Sequence, residues 1–382
     1  MKILVDYRPA LRERTGVGEY IHRLVGAYAA AQTGDAVAVF TSSWKDRPAP
    51  GLATELGATV IDRRVPVRVL NYLWHRAEWP PIETLAGACD VVHAAHPLLI
   101  PSRHAAQVVT IHDLFFLSQP ERTTAEIRRD YPALARAHAQ RADAIVTSTE
   151  YGRRLVIEQL GVADDRIYVC PPGAPVWPAP SGVEGPASSS ATRVADDGCV
   201  LFLGTLEPRK NVGTLLDAYA LLLRRGSKVP PLVLAGRATA AATDWLARIA
   251  EPPLAGHVRH VGYVSGEDRE RLFASARVLV LPSLDEGFGL TALEAMSAGV
   301  PLVASNRGSL PEVVGNGGTL VDPENAVELA AAIEHLATNE GAAAEARRAG
   351  LARAKTFTWD ASAATLRRAY VDAVRRRGER AR

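Results

Sequence analysis

The chain has 382 residues, of which 47% are hydrophobic and 23% are charged, and its formal net charge is +2. This length exceeds one ordinary hydrophobic core, so we expect two domains. The near-neutral charge argues against nucleic acid as a partner, and no apolar run reaches the roughly 18 residues of a bilayer span. The three cysteines (Cys89, Cys170 and Cys199) have no metal-like or redox-like spacing, so we expect reduced core thiols in a cytoplasmic protein.

Short apolar runs rich in β-branched residues alternate with helical segments, a pattern typical of parallel sheets covered on both faces. In the first half they predict strands near 2–7, 36–41, 58–63, 90–94, 107–112, 143–148 and 166–170. The pattern restarts with strands near 199–204, 231–235, 258–262, 277–281 and 301–304, and with a helix near 211–225. We therefore predict an α/β fold with two doubly wound, Rossmann-like domains that face a central cleft, where ligands of such folds bind.

Changes in composition set the predicted domain boundaries. The first domain covers 1–173, a linker rich in Pro, Ser, Gly and Ala covers 174–198, and the second domain covers 199–359. A helix and a basic tail close the chain at 360–382. We expect the tail to be a solvated helix face, with peripheral contact to a membrane as the alternative; its arginines are Arg367, Arg368, Arg375, Arg376, Arg377, Arg380 and Arg382.

The most informative stretch is 282–299, which follows a fully apolar strand. A turn from Gly287 to Gly289 opens its helix, and glycines at a helix N-terminus let backbone amides approach an anion closely. Glu286 precedes this turn and Glu294 lies about two helical turns along. Since a carboxylate accepts hydrogen bonds well from paired sugar hydroxyls, we interpret both as ligand-binding residues. The alternative is that Glu286 merely starts the helix and that Glu294 is an exposed residue on it.

A second segment, Gly204-Thr-Leu-Glu-Pro-Arg-Lys-Asn, lies at the equivalent position after the first strand of the second domain. Its adjacent cations, Arg209 and Lys210, suit a diphosphate, whereas a solvated basic turn is the alternative. Because both segments are predicted at the same edge of one sheet, together they favour a diphosphate site.

These segments resemble family 4 of the retaining GT-B glycosyltransferases. The similarity rests on Gly-Thr-Leu-Glu-Pro-Arg-Lys-Asn, on Glu-Gly-Phe-Gly-Leu with a second Glu eight residues after the first, and on the run at 301–315. The resemblance implies that Arg209 and Lys210 bind the diphosphate of a nucleotide-sugar donor. It also implies that Glu294 binds the ribose hydroxyls and that Glu286 contacts the transferred sugar.

The resemblance extends to the surroundings of these residues. It implies that the backbone amides of 287–290 (Gly287, Phe288, Gly289 and Leu290) form a cradle for the phosphates. It also implies that Tyr263 and Val264 lie near the nucleotide base. The chain departs from the family at Thr205, where many relatives have Arg, and at Thr291, where Pro is common.

In the first domain, Gly16 and Gly18 lie where a helix is predicted to begin. A dinucleotide fingerprint would place a third glycine at Ile21, which argues against a nicotinamide oxidoreductase. We interpret the two glycines as a flexible loop that faces the cleft, where the resemblance places the donor phosphates and the acceptor, with a plain helix start as the alternative.

The predicted strand near 107–112 ends in His112 and Asp113. This pair is similar to the His-Asp-Leu segment of family mannosyltransferases, which implies that His112 contacts the transferred sugar. Asp113 is then expected to orient the imidazole or to bind the acceptor. His93 and His96 are weaker candidates for the acceptor site, and a buried structural histidine is the alternative for each of them.

No Asp-x-Asp motif lies near either phosphate segment, and no His/Cys cluster has the spacing of metal ligands. We therefore predict a retaining hexosyltransferase without metal or cofactor, whose two cations stabilise the leaving diphosphate. The resembling segments favour mannose from GDP-mannose, with a glycan, a lipid-linked sugar or a small molecule as acceptor. A nucleotide-sugar epimerase, a phosphorylase and a non-catalytic nucleotide-sugar-binding module are the rival interpretations.

Overall fold

The computed structural model describes residues 1–11, 16–118, 125–177, 198–264 and 266–380. The chain divides into two compact units. Unit 1 comprises 1–173 and 358–382, and unit 2 comprises 174–357.

Unit 1 is an α/β sandwich. Its strands are β1 (Lys2–Asp6), β2 (Ala36–Ser42), β3 (Thr59–Arg63), β4 (Val91–Ala94), β5 (Ala106–Thr110), β6 (Ala144–Thr147) and β7 (Ile167–Val169). Its helices are α1 (Val17–Ala30), α2 (Leu52–Leu56), α3 (Val67–Ala77), α4 (Ile82–Ala86), α5 (Phe115–Ser118), α6 (Ala125–Arg141) and α7 (Glu150–Leu160), with 3₁₀ turns at Arg8–Ala10 and Asp164–Arg166.

The described strands of unit 1 form one parallel sheet in the order β3-β2-β1-β4-β5-β6-β7. Alternate side chains enter cores on opposite faces: Ile3 and Val5 join one, and Leu4 joins the other. The predicted strands of the first half are all present. The strand order reverses between β1 and β4, and such a switch point is where doubly wound sheets bind ligands.

Unit 2 repeats this plan. Its strands are β8 (Cys199–Leu203), β9 (Leu232–Ala235), β10 (Val258–Gly262), β11 (Ala276–Leu281), β12 (Leu302–Ser305) and β13 (Thr319–Val321). Its helices are α8 (Val212–Arg224), α9 (Thr243–Arg248), α10 (Gly266–Ser275), α11 (Leu290–Ser297), α12 (Leu310–Val314), α13 (Ala326–Thr338) and α14 (Glu340–Ala354), with 3₁₀ turns at Pro208–Lys210 and Ala240–Ala242.

The described strands of unit 2 are also all parallel, in the order β10-β9-β8-β11-β12-β13. The predicted helix near 211–225 is α8, whose Leu215, Tyr219 and Leu222 are buried as expected from their spacing. The order reverses between β8 and β11. The doubly wound α/β class is therefore confirmed in both units.

The last helix, α15 (Trp359–Arg380), belongs to unit 1, although the chain reaches it after completing unit 2. Its Leu366, Tyr370 and Ala373 enter the same core as β1 and α1. Residues 360–382 were predicted to be a separate helix and tail, whereas in the structure this helix is part of the first core. Residues 381–382 lie outside the described residues.

Most of the predicted linker, 178–197, lies outside the described residues. Two of the four residues before it, Ala174 and Trp177, pack on the core of unit 2. The Ala174 amide donates to the Phe357 carbonyl at 3.0 Å. The Trp177 indole donates to Ser297 Oγ at 2.8 Å. Within the described part of the chain, no helix has the length and apolar character that crossing a membrane requires.

The cysteines are all free. Cys170 and Cys199 are buried, as expected of core thiols, whereas Cys89 is only half-buried.

Candidate functional site

The two predicted donor segments meet at the switch point of the unit 2 sheet. Strands β8 and β11 pair in parallel, with Leu279 beside Leu201, so the segments at their carboxyl ends lie side by side. The Leu284 amide donates to the Arg209 carbonyl at 2.8 Å and joins the two segments directly. The side chain of Asn211 donates to the carbonyls of Pro282 at 3.1 Å and Pro323 at 2.7 Å, which holds the turn after β8 in place.

Glu286 lies at the centre of this edge, and only 6% of the residue is exposed. Its carboxylate accepts hydrogen bonds from Lys210 Nζ at 2.5 Å, Ser283 Oγ at 2.7 Å and Arg209 Nη1 at 2.9 Å. Burial by itself would raise the pKa of Glu286, but the charges of Lys210 and Arg209 outweigh it and lower the pKa to about 2. Glu286 is therefore an ionised, buried group and not a helix-start residue, because α11 begins four residues later.

Arg209 and Lys210 lie on the 3₁₀ turn that follows β8, and their side chains are largely buried. The alternative of a solvated basic turn is therefore wrong. Arg209 also donates to the Asp285 carbonyl at 2.9 Å and to Glu207 at 3.0 Å. The cluster places two cations on one buried carboxylate, with the half-buried Glu207 at its margin.

The glycine turn before α11 needs a glycine at position 289 for its geometry. Gly289 has φ +90°, and a Cβ there would come within 2.6 Å of Leu310 Cδ2, so a side chain would be both strained and blocked. Phe288 is buried and packs edge-on against Phe357 at 5.8 Å between ring centroids. Gly287 and Leu290, beside them, are half-buried. The turn thus presents its backbone at the N-terminus of α11.

Glu294 lies on α11 and is mostly buried, which rules out an exposed helix position. Its carboxylate forms an ion pair with Arg269 of α10. The Arg269 guanidinium also lies 5.9 Å from the ring of Phe273. Arg269 could not be predicted from the sequence, because no local motif marks it and its partner lies on another helix.

Tyr263 and Val264, predicted near the nucleotide base, differ in their surroundings. Tyr263 is 54% exposed, and the Arg237 guanidinium lies over its ring at 4.9 Å. The side chain of Val264 is buried in the core of unit 2. Of these two residues, Tyr263 therefore presents its side chain at the surface.

In unit 1, the corresponding switch point carries a buried ion pair that the sequence analysis missed. Asp6, at the end of β1, is bound by Arg8 through two 2.8 Å hydrogen bonds. Arg8 also lies over the ring of Trp74 at 4.7 Å. Burial alone would raise the pKa of Asp6, but Arg8 and His96 hold it well below its usual range. The sequence signal that could have indicated this pair is the position of Asp6, a carboxylate directly at the end of the first strand.

His112 follows β5, and its ring contacts Tyr20 edge-on at 5.2 Å. Its Nε2 atom is buried and has no hydrogen-bond partner among the described residues. Burial lowers the pKa of His112 to about 4, against smaller opposing effects of Asp113 and of a hydrogen bond with the Ala95 backbone. The imidazole is therefore neutral at physiological pH, with one nitrogen left for a ligand.

Asp113 is exposed, and its carboxylate accepts a 3.3 Å hydrogen bond from the Phe115 amide. The His112 ring is held by the Ala95 backbone and by Tyr20. Within the described residues Asp113 acts on the imidazole through its charge and not through a hydrogen bond, so its expected orienting role stays a prediction. Its second expected role, in acceptor binding, stays a prediction.

The expectation that His93 serves the acceptor is wrong. His93 is buried, and both ring nitrogens are used: Nδ1 bonds to Tyr370 Oη at 2.8 Å and Nε2 to Thr110 Oγ1 at 2.7 Å. It is a structural histidine that ties β4 to β5 and to α15. His96 is more accessible and lies 3.4 Å from the Asp6 carboxylate, so it remains a candidate.

Gly16 and Gly18 lie at the start of α1. Gly16 is its N-cap residue with φ +51°, and a Cβ there would meet no other atom of the described residues within 4 Å. Gly18 is buried in the first turn, and Ile21 is a core residue. Residues 12–15 of the preceding loop lie outside the described residues, and phosphate binding by this loop stays a prediction.

Sequence comparisons match most of the chain. The profile described as Glycosyl transferases group 1 matches residues 188–353, and the profile described as Glycosyltransferase Family 4 matches residues 14–176. The O-antigen chain mannosyltransferase B of Escherichia coli is 31% identical over 373 residues, which cover 94% of this chain and 97% of that protein. A D-inositol 3-phosphate glycosyltransferase of Stackebrandtia nassauensis is 27% identical over 97% of this chain and 89% of its own.

Solved structures share the fold across the same length. A sucrose-phosphate synthase from Thermosynechococcus elongatus has a TM-score of 0.73 at 20% identity, with 97% of this chain and 98% of that chain covered. Anabaena HepE, solved in complex with UDP-glucose, has a TM-score of 0.69 at 20% identity, with 96% and 99% covered. The chain thus has the GT-B fold of these structures.

Proposed function

The chain belongs to the group 1 glycosyltransferases, and on that premise we propose that it is a retaining mannosyltransferase that uses GDP-mannose without a metal ion. The observation that carries the proposal is the buried cluster of Glu286, Arg209 and Lys210 at the switch point of unit 2. It combines a carboxylate for sugar hydroxyls with two cations for a diphosphate.

The cluster can form further hydrogen bonds with the phosphates of a nucleotide sugar. Lys210 has three N–H donors and gives one to Glu286, so two are left for phosphate oxygens. Charge-assisted hydrogen bonds to the diphosphate strengthen as the glycosidic bond breaks and negative charge develops on the leaving group. The two cations then supply the stabilisation that a metal ion provides elsewhere.

Glu286 acts as an acceptor in this proposal. With its pKa lowered to about 2, it stays ionised at neutral pH, and an ionised carboxylate donates no proton. It therefore binds hydroxyls of the transferred sugar. In a front-face displacement the leaving phosphate oxygen takes the proton of the acceptor hydroxyl, so retention needs no protein base.

The unoccupied Nε2 atom of His112 supports a role in unit 1. A neutral imidazole nitrogen with no protein partner gains a hydrogen bond only when a ligand arrives. We assign it to a hydroxyl of the transferred sugar, as the resemblance implies.

The relatives support the choice of sugar and acceptor. The Escherichia coli relative that covers nearly the whole chain is named for mannose transfer to an O-antigen chain, and HepE was solved with UDP-glucose. From the first we take mannose, with a glycan or lipid-linked acceptor reached from the cytoplasm. UDP-glucose is the donor against which this choice must be tested.

A donor screen tests the proposal. Thermal unfolding is measured with GDP-mannose, UDP-glucose and a dTDP- and an ADP-sugar, each with and without EDTA. A donor at one hundred times its dissociation constant should add about 2.7 kcal/mol to the free energy of unfolding, and we expect GDP-mannose alone to do so, equally in EDTA.

Product analysis completes this test. NMR of the product formed from α-linked GDP-mannose should show an α-mannosyl linkage, which is retention. A β-linked product would overturn retention, and loss of activity in EDTA would overturn metal independence. Stabilisation by UDP-glucose only would overturn the choice of GDP-mannose as donor. Donor binding without transfer to any glycan or lipid-linked acceptor would favour the non-catalytic module.

A further inference from the structure

A cavity of about 400 Å³ lies in unit 1 outside the site described above. Its lining includes Gln107, near the start of β5, and Arg141, which precedes β6. It therefore opens at the amino ends of these strands, whereas His112 follows the carboxyl end of β5. His112 lies five positions after Gln107, two residues beyond the end of β5, which corresponds to about 17 Å of extended chain at roughly 3.3 Å per residue. We name it the arginine cavity after the side chains that line it: Arg103, Arg141, Arg377 and Arg380.

Positive charge exceeds negative charge in this cavity. Arg141 forms an ion pair with Glu78, the carboxylate of the lining, at 2.5 and 2.9 Å. Arg380 lies 3.1 Å from the buried carboxylate of Asp143.

The other two arginines have no carboxylate partner within the described part of the chain. Arg377 donates to the Arg103 carbonyl at 3.0 Å, and its charge acts on the Asp143 carboxylate without a direct ion pair. A third carboxylate, Glu83, accepts from Ser102 Oγ at 2.7 Å and from the Arg103 amide at 3.0 Å. Four cations thus face three carboxylates.

Three separate elements bring these cations together. Arg103 lies in the loop before β5, Arg141 ends α6, and Arg377 and Arg380 lie in the last turns of α15. The C-termini of two helices favour cations, which explains the stability of Arg141 and Arg380 there but not the unpaired excess beside them. The indole of Trp79, 59% exposed, also lines the cavity.

The volume and the chemistry indicate a small anionic ligand. Ligand cavities typically measure about 300–1,000 Å³, and guanidinium groups match phosphate oxygens with paired hydrogen bonds. We propose that the arginine cavity binds a phosphate group of a ligand other than the nucleotide sugar. The phosphate belongs either to a free ligand or to a lipid headgroup, and both present the same oxygens to the arginines.

Peptide-resolved hydrogen exchange of the full chain tests this proposal and separates the two sources. The probes are inorganic phosphate and pyrophosphate in one arm, and vesicles of phosphatidylglycerol in the other, with phosphatidylcholine vesicles as the neutral reference. The peptides that report on the cavity cover 78–81, 101–107 and 377–380, whereas 204–211 and 282–294 report separately on the donor site.

We expect slower exchange in all three cavity peptides. Protection by the soluble anions assigns a free phosphate ligand, and protection by phosphatidylglycerol only assigns a headgroup. Arg377→Gln and Arg103→Gln should each weaken the effect by roughly tenfold or more, because each removes a charge-assisted contact. The matched control is Arg375→Gln, on the same helix with 61% of its side chain exposed, and it should change nothing.

Two results would overturn the proposal. One is unchanged exchange in the cavity peptides with every probe. The other is that both variants, Arg377→Gln and Arg103→Gln, are still protected at the same probe concentration that protects the wild-type chain. Because Arg103 lies on a loop, its substitution keeps the test valid even if the Arg377 variant unfolds. Neither result bears on transfer by the donor site.

Discussion

The two units share one sheet plan, yet their switch points bury polar groups in different ways. In unit 2, Glu286 is ionised and faces the two cations Arg209 and Lys210. In unit 1, Asp6 is matched one-to-one by Arg8, and the neighbouring His112 is neutral with one free nitrogen. The Asp6–Arg8 pair is thus complete in itself. In the cluster of unit 2 the half-buried Glu207 also pairs with Arg209, and Lys210 keeps two N–H groups for a further acceptor.

This difference indicates how the two edges divide the work. A buried ion must be compensated at once, because desolvation costs several kcal/mol per charge. A cluster with two cations per buried carboxylate is therefore suited to a ligand that brings negative charge. A neutral imidazole requires no counter-charge and suits an uncharged hydroxyl.

The largest effect is expected from Glu286→Ala. It removes the sugar-binding carboxylate and leaves Arg209 and Lys210 without their shared partner, so kcat should fall on the order of a thousandfold. Steady-state transfer kinetics check this, with near-UV circular dichroism to show that the variant folds. The control is Glu345→Ala, a highly exposed glutamate of α14. Unchanged turnover would remove Glu286 from the site.

The second effect concerns the diphosphate. Replacement of both Arg209 and Lys210 by Ala should weaken GDP binding by about a hundredfold or more, since each removes a charge-assisted contact worth about 1.5–3 kcal/mol. Isothermal titration measures this directly. Arg348→Ala, which removes an exposed arginine of the same unit, should leave the affinity unchanged. If the double variant kept the wild-type affinity for GDP, the cations of unit 2 would not be the diphosphate site that distinguishes it from unit 1.

The contrast between the units also explains which parts of the site the sequence reveals. Arg209 and Glu286 lie 77 residues apart, but each follows an apolar strand, and parallel pairing at a switch point brings such segments together. His93 was misjudged because its partner Tyr370 lies 277 residues away on α15. Nothing in the periodicity of α15 states which unit its apolar face will contact.

The same limits apply to the fold. Long apolar runs predicted their strands well, whereas β13 was missed because it has only three residues after a glycine-rich turn. Arg269 was missed for another reason. Its ion pair with Glu294 depends on how α10 packs beside α11, and helix packing of this kind leaves no local sequence pattern.

A smaller effect is expected from His112→Ala. The imidazole is neutral and offers one hydrogen bond, so its loss should lower kcat by about tenfold. The control is His104→Ala, an exposed histidine before β5. Because the pKa of His112 is lowered to about 4, the wild-type rate should show no His112-dependent inflection near pH 6.5. An inflection there that disappears in the variant would show that the imidazole titrates during turnover.

The last prediction concerns the free energy of unfolding, which should differ between the two units only at acidic pH. Burial lowers the pKa of His75, His112 and His138 to about 4 and that of His93 to about 3. An unfolded histidine takes up a proton near pH 6.5, so between pH 6.5 and 4 the unfolded chain binds more protons than the folded one. The free energy of unfolding of unit 1 should therefore fall as the pH drops through this window.

The Glu286 cluster of unit 2 should respond later. The pKa of Glu286 is lowered from 4.5 to about 2, so its contribution is complete above pH 4.5 and is lost only as the pH falls toward 2. Urea unfolding at pH 7, 5.5 and 4.5, followed by pulsed hydrogen exchange at one fixed labelling pH, resolves the two units. Unit 1 should lose protection at lower urea as the pH falls, while peptides around Glu286 keep theirs. Equal losses in both units at pH 5.5 would show that the neutral histidines and the ionised cluster do not differ in the way that their burial indicates.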